Sequence, residues 1–242
     1  MAKISQNLSS DSLFHFVHRR DWLLEILQRK AFQARFVYED IPALKQKLGI
    51  PMKCFSDIPL GMIKKHMTVY GAYGIGVTKT FAKRNNLSPI IYVHQKSAII
   101  NRYLTNIKNF KTLNSQNSLI PYFKMEEGYI TNSKGKQLRK RFYDEREWRY
   151  VPFNAIIIDF DGFDEDEIRK TRLNYENDQL ISSTAKYLLP IEYKDITYIF
   201  VQGEEDVNPL IKSIKSLGLK NEEVVDNLIA KIVTARQIER DF

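Results

Sequence analysis

Cysteine is almost absent from this chain of 242 residues, and Cys54 on its own excludes an internal disulfide framework or a cysteine-based zinc site. Nor does any stretch approach the run of about 18 apolar residues that a membrane-spanning helix requires. The opening residues Met1–Gln6 lack the apolar core of a signal peptide. A soluble, cytoplasmic protein with no membrane partner is the expectation. Histidine is scarce too: His66 and His94 have no partners at metal-ligand spacing, so no metal site is assigned. No internal repeat and no long linker interrupts the chain. It reads as a single domain over 1–242, with a flexible N-terminus at 1–11 and a helical C-terminal part at 202–242.

What is present suits a folded core: 43% of residues are hydrophobic and 12% aromatic. The net charge of +8 is unevenly spread. Residues 1–141 carry 24 Lys and Arg against 8 Asp and Glu, a net of +16, and residues 142–242 carry 13 against 21, a net of −8. A long basic segment suits a polyanion such as RNA or DNA, because neutralising phosphates releases counterions. Mutual attraction of the two halves within one fold accounts for the same asymmetry.

Along the chain, Ser12–Val17 reads as a short buried strand, followed by an amphipathic helix over Arg19–Arg29. A strand is expected near Phe32–Tyr38, a helix over Asp40–Leu48, a short strand near Met52–Ser56, and a turn at Asp57. The stretch Tyr70–Thr78 has three glycines in six residues, which permits close backbone approach or positive φ. Its glycine spacing differs from a dinucleotide-binding fingerprint. Helices over Ile99–Leu113, Asn208–Leu217 and Glu222–Arg236, with strands at Tyr187–Ile191 and Ile196–Val201, complete an α+β pattern. Between them, Asp159–Glu167 reads as an acidic exposed segment.

The stretch Phe142–Val151 alternates and ends at Pro152, which reads as a strand. Its period of two places Tyr143, Glu145, Glu147 and Arg149 on one face. Two stacked carboxylates beside an arginine are costly to bury unless paired. Such a strand is either a reactive site or a solvated, self-neutralising edge. Just before it, Lys134, Lys136, Arg139, Lys140 and Arg141 form a basic tract near Tyr122, Phe123 and Tyr129. Basic and aromatic side chains together suit nucleic-acid binding, with charges on phosphates and rings under bases.

The order of these motifs resembles the ADP-ribosyltransferase domains: a histidine on a first strand, a helix, a glycine-containing strand, and a late strand with Glu145 and Glu147. Ser12-Leu-Phe-His15, Ile50–Leu60, His66, Tyr70–Gly76, Ser88–Tyr92 and Asp144–Arg149 are also similar to the AbiGi-type abortive-infection family of bacterial phage resistance. The first likeness implies a split antiparallel β-sheet core with peripheral helices, and an NAD-dependent toxin or effector; the basic half points to nucleic acid or a nucleic-acid-associated protein as what it modifies. The same likeness implies that His15 holds the nicotinamide-side ribose, that Glu147 stabilises the charge developing as nicotinamide leaves, and that Glu145 orients or deprotonates the acceptor. Arg149 or His66 would engage the pyrophosphate, and Tyr73 or Tyr70 would stack on the nicotinamide. Val17 stands where that pattern has Thr or Ser, and Gly76 where it has an aromatic residue. The second likeness implies the alternative, a non-catalytic antitoxin or regulatory partner whose counterpart is a toxin protein.

Overall fold

The computed structural model describes residues 9–42, 46–105, 119–131, 137–160, 162, 166–183 and 185–241. In chain order the elements are β1 (Ser12–Val17), α1 (Arg20–Arg29), β2 (Ala31–Gln33), β3 (Arg35–Ile41), β4 (Gln46–Ser56), α2 (Ile63–Tyr70), β5 (Tyr73–Thr78) and α3 (Lys79–Arg84). Then come β6 (Ser88–Pro89), β7 (Ile91–Val93), α4 (Ala98–Thr105), β8 (Phe123–Met125), β9 (Glu127–Thr131), β10 (Gln137–Arg141), β11 (Glu147–Tyr150) and β12 (Ile158–Asp159). The remainder is α5 (Asp166–Ser183), β13 (Leu188–Pro190), β14 (Ile196–Val201), α6 (Glu204–Lys215), α7 (Glu222–Ile229), β15 (Ile232–Thr234) and α8 (Ala235–Asp241). The class is mixed α+β. Among the described residues, no helix is long and apolar enough to cross a membrane.

These elements gather into two compact units. The first comprises Met1–Phe32, Phe55–Asn86 and Pro190–Phe242, and the second Gln33–Cys54 and Leu87–Leu189. The chain passes between them four times, which is why no linker marks a boundary in the sequence.

In the first unit the strand order is β15-β14-β5-β1, and Ser56 at the end of β4 pairs with Phe14 of β1. β15 runs parallel to β14 and the other pairs are antiparallel. Alternation along β1 sends Phe14 and Phe16 to a core with Ile63 and Met67 of α2, Phe200 of β14 and Ile238 of α8. Glycines allow close approach to β1: a side chain at Gly74 of β5 would lie 2.6 Å from the His15 carbonyl oxygen, and one at Gly71 (φ 104°), which ends α2, 2.2 Å from the Val17 carbonyl oxygen. The C-terminal helix expected over Glu222–Arg236 stops at Ile229. Its β-branched Ile232 and Val233 join the sheet as β15, because ladder pairing with Ile199 and Phe200 outweighs continued helix.

In the second unit β3 and β4 form an antiparallel pair from Arg35↔Met52 to Ile41↔Gln46, and Ile158 of β12 pairs with Gly49. The helix expected over Asp40–Leu48 is therefore corrected to strand on both sides of residues 43–45, which lie outside the described residues. Ile41, Leu48, Ile50 and Met52 are all buried in one core with Val93, Ile100, Ile120 and Phe123, and that shared burial overrides the local helix-start signal of Pro42. β7 and β8 pair in parallel, β9 and β10 antiparallel. Helix α5 packs on β3, where the Asn177 amide accepts from Phe36 N–H at 2.7 Å and donates to Phe36 O at 3.3 Å.

Candidate functional site

The expected strand over Phe142–Val151 is shorter than its alternation predicts. Phe142–Glu145 forms a 3-10 turn, Arg146 adopts a left-handed φ of 47°, and only Glu147–Tyr150 continues as β11. Glu145 thus reaches the site from a turn, not from the same strand as Glu147. Along β11, Glu147 and Arg149 are buried while Trp148 and Tyr150 are half-buried on the other face.

Arg149 is wholly buried and spends its guanidinium on four acceptors. Nε donates to Glu147 Oε1 at 2.6 Å, and Nη1 to the carbonyl oxygens of Pro121 at 2.6 Å and Phe123 at 3.4 Å. Nη2 donates to Glu39 Oε1 from β3. The other Glu147 oxygen, Oε2, accepts from Lys124 Nζ at 2.7 Å, and the same ammonium lies 3.4 Å from Glu145 Oε2. Lys140 of β10 closes on Glu145 Oε1 at 2.5 Å. The Glu147 N–H donates to the Tyr92 hydroxyl at 2.9 Å, and Tyr92 is the register partner of Lys124. Three cations, Arg149, Lys124 and Lys140, therefore face three carboxylates, Glu39, Glu145 and Glu147.

Charge balance sets the protonation states. Burial on its own would raise the Glu147 carboxyl, but Arg149 and then Lys124 outweigh it and hold it well below the ordinary carboxylate range. Burial would likewise lower Lys124, and the opposing pull of Glu147, Glu39 and Glu145 leaves it well above the ordinary lysine value. Beside them burial pushes the Cys54 thiol up, and the Glu147 charge adds to the effect. Glu147 is consequently a fixed anion with both oxygens engaged by cations. Such a carboxylate is a weak proton acceptor, and the network clamps β3, β8, β10 and β11 together.

The second unit thus brings together Glu145, Glu147 and Arg149 from the sequence reading, and adds Glu39, Lys124 and Tyr92, which that reading missed. The visible trace of Lys124 is one cation between Phe123 and Met125 in an apolar segment. Arg139 pairs with Glu127 at 2.5 Å and Arg141 with Asp144 at 2.5 Å, so each described cation of the basic tract has an acidic neighbour. Lys134 and Lys136 lie outside the described residues.

His15, His66, Tyr70 and Tyr73 belong to the first unit. The His15 ring sits edge-on to Phe32 at 5.6 Å and tilted against Phe55 at 5.7 Å, on the face of β1 opposite Phe14. His66 Nε2 lies 3.0 Å from Ser56 Oγ, and its ring packs on Tyr70 at 4.4 Å. Tyr73 donates its hydroxyl to Asp206 Oδ2 at 3.0 Å, and Asp206 also faces Arg20 at 3.4 Å. Burial and then that hydrogen bond raise the Tyr73 phenol. Asp57, expected as a turn residue, accepts from Ser9 Oγ and Ser10 N–H, each at 2.9 Å, and pairs with Lys79 at 3.0 Å. Among the described residues no group of three or more His, Cys, Asp or Glu side chains is placed to hold a metal ion.

Comparison with known proteins adds the family. The model described as "Putative abortive phage resistance protein AbiGi, antitoxin" matches residues 30–202. The "Abortive phage resistance protein AbiGi" of Lactococcus lactis subsp. cremoris is 28% identical over 249 residues, covering 88% of this chain and 100% of that relative. No solved structure matches.

Proposed function

Since the chain belongs to the AbiGi family of putative abortive phage resistance proteins, we propose that it is the neutralising, non-catalytic half of such a defence system. The observation that carries this reading is the engagement of both Glu147 oxygens, by Arg149 at 2.6 Å and Lys124 at 2.7 Å. The strongest sequence candidate for chemistry is occupied in holding strands together. An antitoxin acts by contact, and contact needs surface. The tight turn after β11 offers it: Ala155 N–H bonds Pro152 O at 3.2 Å, and Phe153 and Ile156 stand 73% and 64% exposed. Large apolar side chains held out on a turn suit a protein partner.

Growth decides between this and the competing reading, an NAD-consuming ADP-ribosyltransferase that uses His15, Glu145 and Glu147. The chain is expressed alone and together with the toxic protein of the same defence pair. Neutralisation predicts normal growth alone, rescue on co-expression, and loss of rescue in Phe153→Asp with an unchanged circular dichroism spectrum. Growth arrest by the chain alone, abolished in a folded Glu147→Gln variant and accompanied by NAD loss, would overturn the proposal and establish the enzyme.

A further inference from the structure

A second feature lies in the first unit and has no connection with the ion network. One face of α7 presents Val224, Asn227 and Leu228, at spacings of three and one, to a cleft of about 530 Å³. Its opposite wall is Tyr193, and three lysines border it: Lys30, Lys194 and Lys231. The volume falls within the range of about 300–1,000 Å³ typical of small-molecule sites.

The walls are fixed. Tyr193 donates its hydroxyl to Leu27 O at 3.0 Å, which locks the ring. Lys30, held in a left-handed conformation (φ 51°) at the end of α1, places Nζ 5.0 Å from that ring's centroid. Lys231 Nζ donates to Tyr193 O at 3.3 Å. The one carboxylate on the rim, Glu192, is already shared by Lys194 at 2.7 Å and Arg84 at 3.6 Å. Among the described residues no carboxylate pairs with Lys30 or Lys231. Burial lowers the Lys231 pKa with no anion to restore it.

We propose that this cleft binds a phosphate-bearing ligand of mononucleotide size. Lys30 and Lys231 would meet the phosphate oxygens, while Val224 and the Tyr193 ring cover the ligand's flat apolar body, backed by the buried Leu228, and Asn227 hydrogen-bonds its edge. A dianionic phosphate supplies the countercharge that the exposed Lys30 and the half-buried Lys231 lack among the described residues. An apolar wall beside them makes inorganic phosphate a poorer fit than a nucleotide.

The full chain is titrated by calorimetry and thermal melting with ADP, adenosine, inorganic phosphate and a short oligonucleotide carrying a 5′ phosphate. ADP is expected to raise Tm saturably, phosphate to do so more weakly, and adenosine not at all. Lys30→Ala with Lys231→Met should weaken binding by at least about tenfold. The variants' own Tm checks their folding, and Lys30→Ala alone serves should the pair fail to fold. Tighter binding of ADP than of the oligonucleotide assigns the cleft to free nucleotides, and the reverse order assigns it to a nucleic-acid end. Equal shifts with adenosine, no shift with any phosphate-bearing probe, or undiminished binding by the folded variants would each overturn the proposal.

Discussion

Glu147 and Arg149, two residues apart on β11, point to the same side of the strand and bond each other through Oε1 and Nε at 2.6 Å, both fully inside the second unit. A buried pair with this many partners punishes the loss of one member more than the loss of both. Glu147→Gln leaves Arg149 and Lys124 short of a full counterion and should cost about 3–5 kcal/mol. Urea denaturation followed by tryptophan fluorescence measures it. Arg139→Ala, at an exposed pair, should leave the midpoint in place; equal midpoints for wild type and Glu147→Gln would remove the clamp from the account.

Acid should act through the same carboxylate. Its folded pKa lies below the ordinary 4.5, so the unfolded chain takes up the proton first. The stability it contributes is complete above about pH 4.5 and is lost as pH falls through the lower folded value. Lys124, raised above 10.5, gives the mirror case: its contribution is complete below that pH and is lost as pH rises through the folded value. Urea midpoints measured from acid to neutral pH should climb in wild type and run flatter in Glu147→Gln. Parallel curves would contradict the assignment.

The Cys54 thiol, pushed up by burial and by Glu147, should be sluggish toward disulfide reagents. In native protein at pH 8 the rate should be at least about tenfold below that of the urea-unfolded chain. Matching rates would mean the thiolate forms freely beside the network.

Gly71 and Gly162 both have positive φ, at 104° and 89°, yet their surroundings differ. A methyl at Gly71 meets the Val17 carbonyl at 2.2 Å, and one at Gly162 meets nothing within 4 Å. Gly162→Ala should therefore lose only the conformational preference, about 1 kcal/mol. Gly71→Ala adds a backbone clash and should lower Tm much further. Thermal melts of the two variants separate the terms, and equal shifts would refute the close approach.

Much of the frame was legible in the residues. The Ser12–Val17 alternation and the Ile196–Val201 run are strands with those very limits. The glycines of Tyr70–Thr78 do permit positive φ and close approach. Helix α5 escaped notice because its exposed positions include apolar Ile168 and Tyr175 among polar ones, and its inward positions, half-buried Leu173 with buried Asn177 and Leu180, include a polar amide bonded to Phe36. The site was legible in part. Sequence alternation joined Glu147 to Arg149, but Glu39 lies 110 positions before Arg149, and nothing local announces that pairing. Arg146 could not be foreseen at φ 47°, so Glu145 was placed on a strand that begins only at Glu147. Whether carboxylates are reactive or merely neutralised depends on such remote partners.

The fourfold passage of the chain between its units has a practical outcome for anyone cutting the gene. Excising residues 30–202, the stretch that defines the family, discards β1 from beside β5 and β15 from beside β14. The strands left behind would offer bare edges and the Phe200 side chain to water, inviting aggregation. The segments flanking the diagnostic region are thus integral scaffolding, and deletion studies of this protein must keep both.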